Sequence, residues 1–149
     1  MKKTSWSKKF LHEHSLSLTA SGIVLLLIVL YQRSDPSTHW GSFFGNAIAD
    51  WTGVVVTVVM TKFLYEKGSA ESKRPRCDGL SPVKTFLKQH SLTLFLVVTG
   101  AAWVVAFRAM DANSRWGQVV GNIVSEWTQI IGLVLMTKRL IEVGSKESR

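Results

Sequence analysis

Four long stretches of this chain carry apolar residues with too few polar interruptions for a surface helix. Two of them cover 16–31 and 92–107, and two cover 43–64 and 119–140. At about 1.5 Å per helical residue the first pair reaches roughly 24 Å and the second roughly 33 Å, against a hydrocarbon core of about 30 Å. Local thinning of a bilayer accommodates the shorter pair. Val, Ile and Thr are abundant and would suit strands, but strict alternation and hairpin turn residues are missing, and the lengths favour helices. The pattern predicts an all-α integral membrane protein with four transmembrane helices at about 15–32, 43–65, 91–108 and 119–141. The competing architecture, a soluble four-helix bundle, needs a polar face on each helix, and 22–31 and 100–107 have none.

The four segments come from one unit used twice. Laid on itself with Phe10 over Phe86, the chain matches 10–73 to 86–149 without a gap, with 24 of the 64 positions identical. Phe10-Leu11 and His14-Ser15-Leu16 recur as Phe86-Leu87 and His90-Ser91-Leu92. Trp40-Gly41, Gly45-Asn46 and Trp51-Thr52 recur as Trp116-Gly117, Gly121-Asn122 and Trp127-Thr128. Met60-Thr61-Lys62 and Gly68-Ser69 recur as Met136-Thr137-Lys138 and Gly144-Ser145. The chain therefore divides into a first two-helix unit, 1–73, a linker, 74–85, and a second two-helix unit, 86–149. Pro75, Gly79 and Pro82 punctuate the linker.

Composition alone is ambiguous, because 46% of residues are hydrophobic while 18 Lys and Arg against 10 Asp and Glu leave a net charge of +8. Position resolves it. The N-terminal segment, the middle loop with its flanks and the tail hold 15 of the 18 basic residues; the loops 32–42 and 108–118 hold only Arg33, Arg108 and Arg115. By the positive-inside rule both termini and the linker are cytoplasmic and the short loops face outward. Two spans per unit make the copies parallel, related by a pseudo-two-fold axis along the membrane normal. Trp40 and Trp116 fall at the outer boundary, where indole rings favour the headgroup layer. The basic residues thus read as orientation signals that meet anionic lipid, and no nucleic acid is expected as partner.

Lys2, Lys3, Lys8 and Lys9 ahead of an apolar stretch would also suit a secretory signal. However, 31–35 lacks a small-residue cleavage site, and the same segment recurs inside the chain. A lone Cys77 excludes an intramolecular disulfide framework and a Cys-cluster zinc site.

The second span of each unit carries the informative polar residues. Gly41, Gly45 and Ala49, and again Gly117, Gly121 and Ser125, are spaced by four and form a small-residue strip suited to close helix packing. Beside it run Asn46, Asp50, Gly53 and Thr57, matched by Asn122, Glu126, Gln129 and Leu133, on one helical face. Asp50 lies seven residues, about 10 Å, beyond Phe43, and no Lys or Arg shares its depth. An ionised, unpaired carboxylate there costs several kcal/mol. Two readings follow for Asn46, Asp50, Thr57, Asn122, Glu126 and Gln129. In one they bind a cation or relay a proton; in the other a protonated carboxyl and the Asn residues are interhelical glue.

His14 and His90 begin the first span of each unit, as proton sensors or as simple interfacial residues. Lys62 with Glu66, and Lys138 with Glu142, read as i,i+4 pairs closing the second spans. Nothing resembles a nucleophile with its base, a metal cluster or a phosphate loop, and His39 has no second ligand nearby. An enzyme, a metal and a cofactor are therefore not expected.

The ends of the units read Lys62-Phe63-Leu64-Tyr65-Glu66-Lys67-Gly68-Ser69-Ala70-Glu71-Ser72-Lys73 and Lys138-Arg139-Leu140-Ile141-Glu142-Val143-Gly144-Ser145-Lys146-Glu147-Ser148-Arg149. With His14-Ser15-Leu16-Ser17-Leu18, they resemble a family of small, similarly duplicated bacterial integral membrane proteins of unknown function. Its ending is Phe-Leu-x-x-x-Gly-Ser-x-Glu-Ser, and Asn46, Ala49, Asp50 and Trp51, with Asn122, Ser125, Glu126 and Trp127, fall on its Asn-x-x-Ser-Glu-Phe stretch with substitutions. The resemblance implies a bacterial cell-membrane location and brings no activity or substrate. From the residues, the expected function is a proton or cation channel or transporter-like unit, with an oligomer required to enclose a path. The alternatives are a structural or accessory membrane protein, or a lipid-facing anchor for a cytoplasmic partner. The expected partners are the lipid bilayer and a second copy or another membrane protein.

Overall fold

The chain is seen in a computed structural model that describes residues 3–70, 79, 81–111 and 113–140, with side chains described from Lys8 onward. Its described elements are helices: α1 (Lys3–Glu13), α2 (Ser15–Arg33), α3 (His39–Phe63), α4 (Pro82–Gln89), α5 (Ser91–Ala109) and α6 (Arg115–Met136). Four of them, α2, α3, α5 and α6, are long and apolar enough to cross a membrane. Helix α2 packs on α3, α5 packs on α6, and the two hairpins meet through α3 and α6 at the centre. The outer helices keep most of their apolar surface uncovered: only 17% of the α2 span and 11% of the α5 span is buried. Leu25, Leu26, Val29, Val97, Val98 and Val105 all point away from the bundle. Such continuous apolar faces suit lipid and not water.

Both central helices start a turn before the apolar stretch does. Thr38 and Ser114 are their N-caps, each hydroxyl accepting a hydrogen bond from the backbone N–H of Gly41 (3.1 Å) or Gly117 (3.0 Å). A Cβ at Gly41 would overlap the carbonyl of Asp35, and one at Gly117 that of Asp111, so the turns close only around glycine. One turn further in, the Tyr31 ring lies over Gly45 and the Phe107 ring over Gly121, leaving 3.2 Å and 2.9 Å for an added Cβ. The small-residue strip thus joins each second span to the first span and turn of its own hairpin. Ala49 is fully buried, but Ser125 is exposed and does not extend the packing strip as the spacing predicted.

Two short helices precede the outer spans and lack the apolar length that marks the others. Pro82 sits in the first turn of α4, where its missing N–H costs no hydrogen bond, so α4 begins within the stretch read as linker. At the junctions into α2 and α5 the chain bends at His14 and His90. Each imidazole packs on the phenyl ring four residues earlier, at 4.5 Å for Phe10 and 4.7 Å for Phe86.

At the opposite end, Arg115 of α6 clamps the end of α2. Its guanidinium donates to the carbonyls of Tyr31 (2.9 Å), Gln32 (3.0 Å) and Ser34 (2.9 Å) at the C-terminal end of α2, where the Tyr31 carbonyl also accepts from the Ser34 hydroxyl. The Tyr31 hydroxyl donates back to the Arg115 carbonyl at 2.7 Å, and Trp116 packs edge-on against the Tyr31 ring. The clamp ties one hairpin to the other. Arg115→Ala should lose on the order of 1–3 kcal/mol through its charge-assisted bonds. Arg115→Lys should recover only part, because an ammonium cannot reach three carbonyls in a fork. Thermal unfolding of the detergent-solubilised protein by circular dichroism reads this, and an unchanged midpoint for Arg115→Ala would refute the clamp.

Candidate functional site

Asp50 is the twelfth residue of the 25-residue α3 and Glu126 the twelfth of the 22-residue α6, so each acid sits near the middle of its helix. That is about 16 Å from the helix start, because α3 begins four residues ahead of Phe43. The two carboxyl groups line one groove at the α3–α6 seam. One turn away, Nδ2 of Asn122 donates to Oδ1 of Asn46 at 2.5 Å. On the other side Gln129 Nε2 donates to Glu126 Oε1 at 3.1 Å. Gly53 lies against Glu126, whose Oε2 would be 3.5 Å from an added Cβ.

These contacts form a polar ladder along one edge of the seam. Behind it is an apolar wall of Ala47, Ile48, Val119, Ile123 and Trp127. Asn46, Asp50 and Gln129 are exposed, while Asn122 and Glu126 are half-buried. Asp50 and Glu126 open onto a groove of about 250 Å3 lined also by Gly53, Val54, Thr57, Val58 and Ile130. Thr57 therefore shares the groove without touching the ladder's hydrogen bonds; its carbonyl accepts from Thr61 at 2.6 Å. Of the six predicted polar residues, four are joined in two hydrogen-bonded pairs, and Asp50 and Thr57 line the groove beside them. Among the described residues there is no group of three metal-ligating side chains.

A second acid cluster goes unseen in the linear pattern. Helix α3 ends at Phe63, so Glu66 lies beyond it and forms no i,i+4 pair with Lys62. The segment after α3 instead crosses to the α4–α5 junction. Lys67 N–H donates to the Gln89 carbonyl (2.8 Å), Leu92 N–H to the Tyr65 carbonyl (3.1 Å), and Tyr65 N–H to Ser91 Oγ (2.9 Å). Glu66 is thereby fully buried at the start of α5. Its Oε1 lies 2.5 Å from Lys138 Nζ and 2.6 Å from His90 Nδ1, and its Oε2 accepts from the Thr93 amide at 3.4 Å. Ser69 Oγ adds a contact to Thr137 Oγ1 at 3.0 Å. The sequence does hold a signal for this cluster: Glu66, His90 and Lys138 each have an identical counterpart in the other unit, at Glu142, His14 and Lys62. Glu142 lies outside the described residues.

Burial pushes the Glu66 carboxyl up, but hydrogen bonds to Lys138, Thr93 and His90 and the nearby Lys138 charge outweigh it, holding the carboxyl below its usual range. A folded-state pKa below the unfolded value of about 4.3 adds stability above that value, and the gain disappears as pH falls towards the folded pKa. Compared with family models, curated proteins and solved structures, the chain matches none. Glu66→Gln should destabilise the protein at pH 7 by on the order of 3 kcal/mol, since it leaves Lys138 without its buried counter-charge. The gap to wild type should shrink as the pH drops below about 4, measured by thermal unfolding across a pH series. A pH-independent gap would refute the ionised cluster.

Proposed function

We propose that this chain is a bacterial cell-membrane protein of two parallel two-helix units, whose paired acids Asp50 and Glu126 bind and pass protons or a monovalent cation. The observation that carries the reading is two carboxyls on one groove, at the centres of two membrane-length helices. No basic residue lies at their depth to neutralise them. A shared proton is the cheapest counter-charge there, and a proton held between two acids is one that can be handed on. Matched residues meet at the seam, 46 bonded to 122, with 50 and 126 on one groove, which supports α3 and α6 running side by side in one direction.

The ladder opens to the surface of the bundle, so a second copy facing it would complete an enclosed path and remove the polar edge from lipid. The basic termini and linker lie on the cytoplasmic side. There α4, with Val83, Phe86 and Leu87 exposed beside Lys84 and Lys88, suits an anionic lipid surface. The rival reading, helix glue, draws on the Asn46–Asn122 and Gln129–Glu126 bonds.

Purified protein in liposomes decides between them. Wild type is expected to dissipate a pH gradient or a monovalent-cation gradient faster than empty liposomes. Asp50→Asn with Glu126→Gln is expected to reduce that flux at least tenfold while keeping the wild-type oligomer and midpoint. No flux from wild type, or an equal flux from the variant, overturns conduction. A variant that loses its oligomer or unfolds early assigns the acids to packing. Orientation has a separate check. In intact cells Ser37→Cys in a Cys77→Ser background is expected to react with an impermeant maleimide, while native Cys77 reacts only after permeabilisation; the reverse pattern overturns the topology.

A further inference from the structure

The start of α2 repeats the donors that hold Glu66 at the start of α5. His14 and Lys62 stand in the first unit where His90 and Lys138 stand in the second. In the second half, Lys138 Nζ and His90 Nδ1 both contact Oε1 of Glu66, and the Thr93 amide donates to Oε2. In the first half, Lys62 Nζ lies 3.3 Å from His14 Nδ1, so the matched nitrogens converge again. Ser17 matches Thr93, and its amide belongs to the first turn of α2, where an N–H has no acceptor in its own helix. The Ser17 hydroxyl donates to the His14 carbonyl at 3.0 Å, which leaves the nitrogens as the donors of this place. The second half shows what such a donor set holds: an anionic oxygen.

The setting differs in one respect. Glu66 is fully buried, whereas His14 and Lys62 border a groove of about 230 Å3 with Lys62 and Phe63 exposed at its edge. Leu16, Val58, Val59 and Phe63 supply its apolar wall. Val58 and Val59 lie about one turn deeper in α3 than Lys62, towards the centre of the span. A cation at the helix end followed by hydrocarbon towards the span centre is the order in which a phospholipid presents its phosphate and its acyl chains. A soluble anion would leave that wall uncovered. A zwitterionic headgroup would bring its own ammonium beside Lys62, so charge favours a lipid with net negative charge. Glu13, the acid on the groove's rim, lies 3.8 Å from Lys9, which offsets its repulsion of an anion.

We infer that this groove binds an anionic phospholipid, with its phosphate oxygens accepting from Lys62 Nζ, the His14 imidazole and the Ser17 amide. Its acyl chains lie against Leu16, Val58 and Val59. The lipid phosphate then does for the start of α2 what the Glu66 carboxylate does for the start of α5. The inference rests on α2 and α3 crossing a bilayer, and not on proton or cation passage at Asp50 and Glu126.

Native mass spectrometry of the full-length protein in detergent, exchanged against equal amounts of phosphatidylglycerol and phosphatidylcholine, tests this without any flux measurement. Wild type is expected to retain phosphatidylglycerol under activation that strips phosphatidylcholine. Lys62→Gln and His14→Gln should each weaken phosphatidylglycerol binding by about fivefold, and Lys62→Arg should keep it. Arg108→Gln, which removes an exposed charge at the other end of the bundle, should leave it unchanged. Unfolding midpoints by circular dichroism identify the variants that remain folded. Wild type alone can overturn the inference, either by holding both lipids equally or by releasing phosphatidylglycerol to inorganic phosphate, the mark of a free-anion site. Unchanged binding in a folded Lys62→Gln or His14→Gln protein also overturns it. So does an equal loss in Arg108→Gln, which would assign the lipid to net charge alone.

Discussion

The two hairpins of this fold meet through α3 and α6, and that seam carries two carboxyls at its middle. Other choices along the central helices accommodate this placement. Glycines at 45 and 121 bring the outer helices close under an aromatic ring, freeing the opposite flank of α3 and α6 for each other. Trp127, Ile123 and Val119 form a dry wall on one edge of the seam, leaving the polar residues on the other. An apolar medium offers no water to a polar side chain, so the ladder must satisfy itself by pairing. Asn46 with Asn122, and Gln129 with Glu126, do so.

The fold uses acids in two opposite ways. Glu66 is fully enclosed but receives a lysine, an imidazole and a helix amide, the conditions under which a buried carboxylate stays charged and rigidifies its surroundings. Asp50 and Glu126 are less enclosed by protein, and the side-chain hydrogen bond found there among the described residues comes from the uncharged amide of Gln129. The first arrangement suits an anchor; the second leaves two carboxyls beside an open groove. The charged anchor thus sits at the helix ends and the groove-facing acids at the helix centres.

The spans are legible in the sequence because apolar length is a one-dimensional signal. The stretches 15–32 and 91–108 match α2 and α5 to within a residue at either end. The apolar pattern sets the starts of α3 and α6 four residues late, since a cap such as Thr38 or Ser114 is polar and lies outside any hydrophobic window. Helices α1 and α4 are not legible for the same reason: eight to eleven residues with mixed polarity look like loop. Helical spacing does bring Asn46, Asp50, Asn122 and Glu126 to one face, and the seam joins them. Glu66 escapes the pattern because the i,i+4 rule presumes a helix continuing past Phe63. Its true partners, His90 and Lys138, belong to the other half of the chain, a separation only the tertiary fold closes.

The Arg115 clamp has no equivalent in the other half of the chain. Arg115 corresponds to His39, and Tyr31, which returns a hydrogen bond, corresponds to Phe107. Two first halves placed face to face would lack the guanidinium, and two second halves would lack the phenol. The halves are thus complementary rather than interchangeable subunits. In assembly terms the chain behaves as an obligate heterodimer carried on one polypeptide, its pairing guaranteed by covalent linkage rather than by encounter.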